Sequence, residues 1–164
     1  MLDSTVTIVD TSCLIALEKL QLLGLLCKLY NKVILPEAVI NEFGKDLDLN
    51  CIEVIKVESS LKDLLREDLN LGSGESEVIA YAHENKVRVI IDDLEARKVA
   101  EKLGLRVTGT IGILCKAQKK DLIVLAYDEV LRLKQQGFRV SDEILLKLKE
   151  RVEGDSAEDE PLKR

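Results

Sequence analysis

No apolar run in the 164-residue chain approaches twenty residues, so no conventional membrane-spanning helix is encoded. Met1-Leu2-Asp3-Ser4 has neither a basic start nor a hydrophobic stretch behind it. No secretory signal is therefore expected, and the expected location is the cytoplasm. The four cysteines, Cys13, Cys27, Cys51 and Cys115, include no C-x-x-C pair. That spacing argues against a zinc site and for reduced, mostly buried thiols. His83 is the single histidine, so Ser-His-Asp or Cys-His catalysis would have to pass through a residue that sits mid-helix in Ala82-His83-Glu84. Positive charge is also short: 24 Lys and Arg against 30 Asp and Glu leave a net charge of −6, the wrong sign for simple electrostatic binding of nucleic acid. No G-x-G-x-x-G follows a strand, and no Lys-Ser/Thr follows Gly72-Ser73-Gly74, which removes dinucleotide-binding and P-loop readings. No internal repeat stands out.

What is present is an alternation of β-branched runs and helical periodicity. Thr5-Val6-Thr7-Ile8-Val9 reads as a buried strand that ends in Asp10-Thr11-Ser12. A leucine-rich stretch follows to Tyr30 with helical spacing and a break between Gln21 and Gly24. Its surplus leucine is either core or an oligomer surface. Val33-Ile34-Leu35 is a second strand, with Pro36 at the first position of a helix that runs from Glu37 to Phe43. Ile52 to Val57 alternates as an edge strand or an extended connector, and Ser59 or Ser60 caps a helix from Leu61 to Glu67. A helix from Glu75 to Asn85 precedes the strand Val87 to Ile91, which ends in Asp92-Asp93. A helix from Leu94 to Leu103, closed by Gly104, leads to the last strand, Leu105 to Thr108. Helices follow at 111–119, 123–136 and 142–152, the last capped by Ser141. These elements predict an α/β fold: one domain over residues 1–152, three-layer α/β/α, with a mostly parallel sheet of four or five strands and extra C-terminal helices. Residues 153–164 are acidic, lack an apolar period and are expected to be a disordered tail.

Acids recur at strand ends and helix starts: Asp10, Glu42, Glu75, Asp92 and Asp93. In an open α/β sheet the carboxyl ends of the strands are where ligands bind. Taken singly, each acid also reads as a helix cap or a salt-bridge partner. Helical phase separates the two acids near Gly74. Glu75 shares a face with the core residues Val78, Ile79 and Ala82, while Glu77 is turned roughly 200° away. Clustered carboxylates repel, and an oxygen-only set without imidazole or thiolate favours Mg²⁺ or Mn²⁺. Such a centre suits metal-assisted hydrolysis of a phosphodiester. A haloacid-dehalogenase-like phosphatase would need Asp-x-Asp where Asp10-Thr11-Ser12 stands, and a receiver domain would place paired acids on the first strand.

Several of these segments resemble a PIN domain. They are Ile8-Val9-Asp10-Thr11-Ser12, Leu35-Pro36 with Val39 and Glu42, Gly74-Glu75-Ser76-Glu77, Ile91-Asp92-Asp93 with Ala96-Arg97, and Val107-Thr108-Gly109-Thr110-Ile111-Gly112-Ile113-Leu114. The likeness is greatest to the prokaryotic PIN-like subgroup of predicted nucleic-acid-binding proteins close to the VapC-type toxin ribonucleases, and it covers about residues 5–150. It implies a sheet in the order 3-2-1-4-5 and a Mg²⁺- or Mn²⁺-dependent ribonuclease acting on single-stranded RNA. It also implies a homodimer and, for toxin members, a small antitoxin protein. By position Asp10, Glu42 and Glu75 match the first three acids of the family, and either Asp92 or Asp93 the fourth. Asp10, Glu75, Asp92 and Asp93 would hold metal, with Ser12, Glu77, Arg97 and Thr110 in support. The alternative to turnover is a module that kept the fold as a nucleic-acid-binding or protein-interaction surface.

Overall fold

The computed structural model describes residues 3–153. Five strands, β1 (Asp3–Val9), β2 (Tyr30–Pro36), β3 (Ile52–Ile55), β4 (Arg88–Ile90) and β5 (Val107–Thr108), form one wholly parallel sheet in the order β3-β2-β1-β4-β5. β1 is central because its residues are apolar on both faces: Ile8 and Val9 are fully buried, as are Val33, Leu35, Val89 and Ile90 on its neighbours. Strands covered on both faces read as continuous β-branched runs, and parallel pairing requires helical crossovers between them. α1 (Thr11–Lys19) and α2 (Leu25–Leu29) join β1 to β2, and α3 (Glu37–Phe43) joins β2 to β3. α4 (Ser60–Glu67) and α5 (Ser73–Asn85) lead to β4, and α6 (Leu94–Lys102) to β5. The chain leaves β1 for β2 on one side and later returns to pair β4 on the other. The switch in strand order therefore falls beside β1, at the residue that follows Val9.

The described residues group into two compact units, one up to Gly109 and one from Thr110. The sheet and α1–α6 belong to the first. The second holds α7 (Thr110–Lys119), α8 (Ala126–Gln135) and α9 (Asp142–Glu153). Ser141 caps α9 as expected, its Oγ accepting from the Ile144 amide at 3.2 Å. α8 starts three residues later than its apolar spacing suggests, because the Gln118 side chain ends the preceding turn by accepting from the Ala126 amide at 2.7 Å. The expected acidic tail lies outside the described residues beyond Glu153.

Most of the surplus leucine proves to be core: Leu14, Leu17, Leu20, Leu25, Leu26 and Leu29 are all buried. Pro36 closes β2 and caps α3 with extended ψ, rather than occupying the first helical position. Ser59 caps α4, accepting from the Leu61 amide. No helix among the described residues is long and apolar enough to cross a membrane.

The cysteine expectation is corrected. Cys27 and Cys51 form a disulfide with a Cα separation of 5.5 Å, while Cys13 and Cys115 are free. Wide sequence spacing concealed this pair. α2 runs directly into β2, and the pairing of Val33 with Ile52 brings the turn holding Cys51 beside it. The Val33 amide donates to the Cys51 carbonyl at 2.9 Å. The thiol argument for a reducing compartment therefore loses half its cysteines. Closing a loop with a sequence separation of 24 is worth about 3 kcal/mol through the unfolded state. A Cys27→Ser/Cys51→Ser chain is expected to be less stable in urea melts by about that amount. Equal midpoints with and without reductant would contradict it.

Candidate carboxylate site at the strand ends

Asp10 follows β1, and its amide donates to the Ile90 carbonyl at 3.0 Å, which pins the end of β1 to β4. The residue is only 2% exposed, and its side chain makes no cap to α1 although it stands at the N-cap position. Burial pushes its carboxyl up from 3.8 to about 7. The Thr11 amide pulls the other way, and the charges of Glu75, Glu42 and Asp92 push it further up. Four acids far apart in sequence thus act on one another across the carboxyl ends of the sheet.

Glu42 reaches this group from α3. Its Oε1 accepts from the Gly74 amide at 2.8 Å and its Oε2 from the Thr11 hydroxyl at 3.0 Å. The carboxylate therefore joins the first turns of α1 and α5, where helix N-termini favour negative charge. Gly74 is required for this approach, since a Cβ there would lie 2.9 Å from Glu42 Oε1. Gly74→Ala is accordingly expected to expel the Glu42 carboxylate. The stability change should stay within about 1 kcal/mol, because alanine favours the helix while the bridge is lost. Urea melts check it, and a double variant with Glu42→Gln should lose no further stability. Additive losses would show that Gly74 acts elsewhere.

Glu75 is half-buried in the first turn of α5, where its Oε2 accepts from the Gly72 amide at 3.2 Å. Burial raises its pKa, the Gly72 hydrogen bond opposes that, and Asp93 and Glu42 add to the rise. Glu77 points elsewhere, as helical phase requires. It accepts from the Ala38 amide at 3.4 Å and pairs with Lys62 at 3.6 Å, bracing α5 against α3 and α4.

Asp92 and Asp93 separate cleanly. Asp93 is exposed and caps α6, its Oδ2 accepting from the Ala96 amide at 2.9 Å. Asp92 is half-buried and is one of the charges acting on Asp10. Its Oδ1 lies 2.6 Å, and Arg97 Nη1 2.7 Å, from the point where a Cβ on Gly109 would stand. Arg97 thus sits beside Asp92, and its Nη1 also donates to the Ile91 carbonyl at 3.3 Å. Ser12 is half-buried in the first turn of α1, next to Thr11. Thr110 is buried at the start of α7 in the second unit.

Sequence reasoning missed several contributors. Thr11, next to Asp10, was given no role at the site, yet its hydroxyl holds Glu42. Gly74 and Gly109 both leave room for a carboxylate. Ser76 Oγ is buried with no hydrogen-bond partner among the described residues.

The donor set is chemically suited to a hard divalent ion, being oxygen-only and mutually repulsive, with a buried carboxyl at its centre. As the side chains stand, however, no group of three or more His, Cys, Asp or Glu among the described residues is placed so that it could hold a metal ion. Glu42, Glu75 and Asp93 each accept a backbone hydrogen bond instead. The residues fit such an ion in chemistry and charge, and closing on it would require those side chains to turn inward.

Comparison with known proteins agrees with this geometry. No curated protein matches the chain. A solved PilT N-terminus domain protein from the hyperthermophilic archaeon Sulfolobus solfataricus P2 is similar at 21% identity and a TM-score of 0.50. That match covers 69% of this chain and 93% of the other, and it supports the fold alone. The profile of the DUF3368 family, described as a PIN domain, matches residues 6–154. With the parallel 3-2-1-4-5 sheet and the acids at its switch point, the chain belongs to the PIN domain family.

Proposed function

We propose that the protein is a Mg²⁺- or Mn²⁺-dependent endoribonuclease that hydrolyses phosphodiester bonds of single-stranded RNA. PIN domains are generally nuclease-type folds that use divalent metals. The observation that carries the reading here is the buried carboxyl of Asp10, on which Glu75, Glu42 and Asp92 all exert like charge. Asp10, Glu75 and Asp92 would hold the ion, with Asp93 at its outer edge. When bound, a divalent cation supplies Lewis acidity toward the phosphate oxygens and offsets their charge. Glu42, held by Thr11 and Gly74, fixes the rim of the site, and Arg97 beside Asp92 would meet a substrate phosphate. The finer expectations of a toxin role with a small antitoxin, a homodimer and a cytoplasmic location belong to the same proposal.

A second reading, a binding module without turnover, is favoured by one observation. Four of the acids, Asp10, Glu42, Glu75 and Asp93, already accept hydrogen bonds from the chain's own amides. Incubation of the protein with labelled single-stranded RNA, in Mg²⁺ or Mn²⁺ and in EDTA, separates the two. Metal-dependent fragments that vanish in Asp10→Asn support the nuclease. Retained binding without fragments supports the module.

A further inference from the structure

We infer that a second cleft, at the opposite end of the strands from the acids, binds the phosphate of a nucleotide. Its volume is about 540 Å³, and it opens beside Thr5 and Val6 at the start of β1. Thr5 stands five residues before Asp10, about 16 Å away along an extended strand, so this cleft is separate from the carboxylate site. Lys86, Arg88, Arg106 and His83 line it, and no acid does among the described residues. The cleft beside Glu42 carries both signs, with Glu37, Glu42, Asp63 and Glu77 on its walls together with Lys62 and Arg66.

In a chain of net charge −6, cations usually find acids, as Lys32 does with Glu53 and Lys62 with Glu77. Lys86, Arg88 and Arg106 form no side-chain ion pair among the described residues. The dipole at the end of α5 accounts for His83 in its last turn and for Lys86 at its left-handed C-cap. It does not account for Arg88 on β4 or for Arg106 ahead of β5, which come from other segments to the same cleft. Val6, Val87 and Leu105 are half-buried between these cations and give an apolar surface for a ribose or base. Guanidinium and ammonium groups without an ion-pair partner among the described residues, set around an apolar floor, suit a nucleotide better than a bare oxyanion. The nucleotide comes either free or as part of an RNA strand; only the second source rests on the nuclease reading.

The test uses the full chain in EDTA, so that binding is read without cleavage. Anisotropy of a labelled ten-nucleotide single-stranded RNA is followed from about 50 to 200 mM KCl, with AMP as competitor and, separately, as a calorimetric ligand. Lys86→Gln/Arg88→Gln/Arg106→Gln is expected to weaken binding at least tenfold at low salt. It should also flatten the log–log salt slope by about 2, since each phosphate contact to a single strand contributes about 0.7. A control of equal charge, Lys56→Gln/Lys98→Gln/Lys147→Gln, should bind within twofold of the wild type. Displacement by AMP marks a free-nucleotide site, and RNA binding indifferent to AMP marks a strand site. Should the triple variant fail to fold, Arg106→Gln alone, at an exposed position, should still weaken binding about threefold. Wild-type protein that binds neither RNA nor AMP, or a folded triple variant that binds as well as the wild type, would overturn the inference. Failure of the nuclease reading shows separately, as RNA left uncut in Mn²⁺ while this binding persists.

Discussion

Asp10→Asn is expected to lower cleavage of single-stranded RNA at least about 100-fold, the scale of losing one preorganised electrostatic group at a reacting phosphate. The same change should make the metal-free protein more stable at neutral pH. Asp10 titrates at about 7 in the folded chain, against 3.8 for an ordinary aspartate. Between those values the folded state keeps a proton that the unfolded state has released. Stability from this group is therefore whole below about pH 4, declines as pH rises to about 7, and stays lost above it. At about 1.4 kcal/mol for each tenfold change in proton affinity, the full span amounts to about 4 kcal/mol. Asparagine removes the charge but leaves a buried amide in need of partners, so a gain of about 2 kcal/mol is expected. Urea melts in EDTA at pH 5 and pH 7.5 check this. The wild type should be less stable at the higher pH, and the variant should lose less over the same span, its remaining decline coming from Glu75, whose pKa is also raised. A variant that cleaves normally, or melts earlier than the wild type at pH 7.5, contradicts the role given to Asp10.

Asp92 and Asp93, adjacent in sequence, are expected to fail in opposite ways. Asp92→Asn removes a charge that acts on Asp10 and should lower activity about 100-fold with little change in stability. Asp93→Ala removes the cap on the Ala96 amide and should lower stability by about 1 kcal/mol. Its activity should stay within tenfold of the wild type, since Asp93 bears on the site only through its charge on Glu75. Parallel rate assays and urea melts on the two variants decide it. If Asp93→Ala proves the inactive one at full stability, the fourth acid has been misplaced.

These two residues also show what a sequence can and cannot disclose. Strand ends and helix phase are local, so the acids after Val9 and Ile91 were legible, and so was the divergence of Glu75 from Glu77. Which of Asp92 and Asp93 turns inward depends on one pair of backbone dihedrals at the start of α6, and no side-chain pattern reports them. The Cys27–Cys51 disulfide and the Thr11–Glu42–Gly74 bridge were invisible for a different reason. Each joins residues brought together only by strand pairing or helix packing. The cleft around Arg88 and Arg106 is of the same kind, assembled from separate segments that each read as ordinary surface.

Chains that oppose their own charge this way gain most from a counterion, and calorimetry measures that directly. Mn²⁺ titrated into the wild-type protein at pH 7.5 should give a saturable heat at or below millimolar metal, and the same titration into Asp10→Asn should give little or none. No saturable heat in the wild type, or the same isotherm in both chains, would contradict a metal centre at these strand ends.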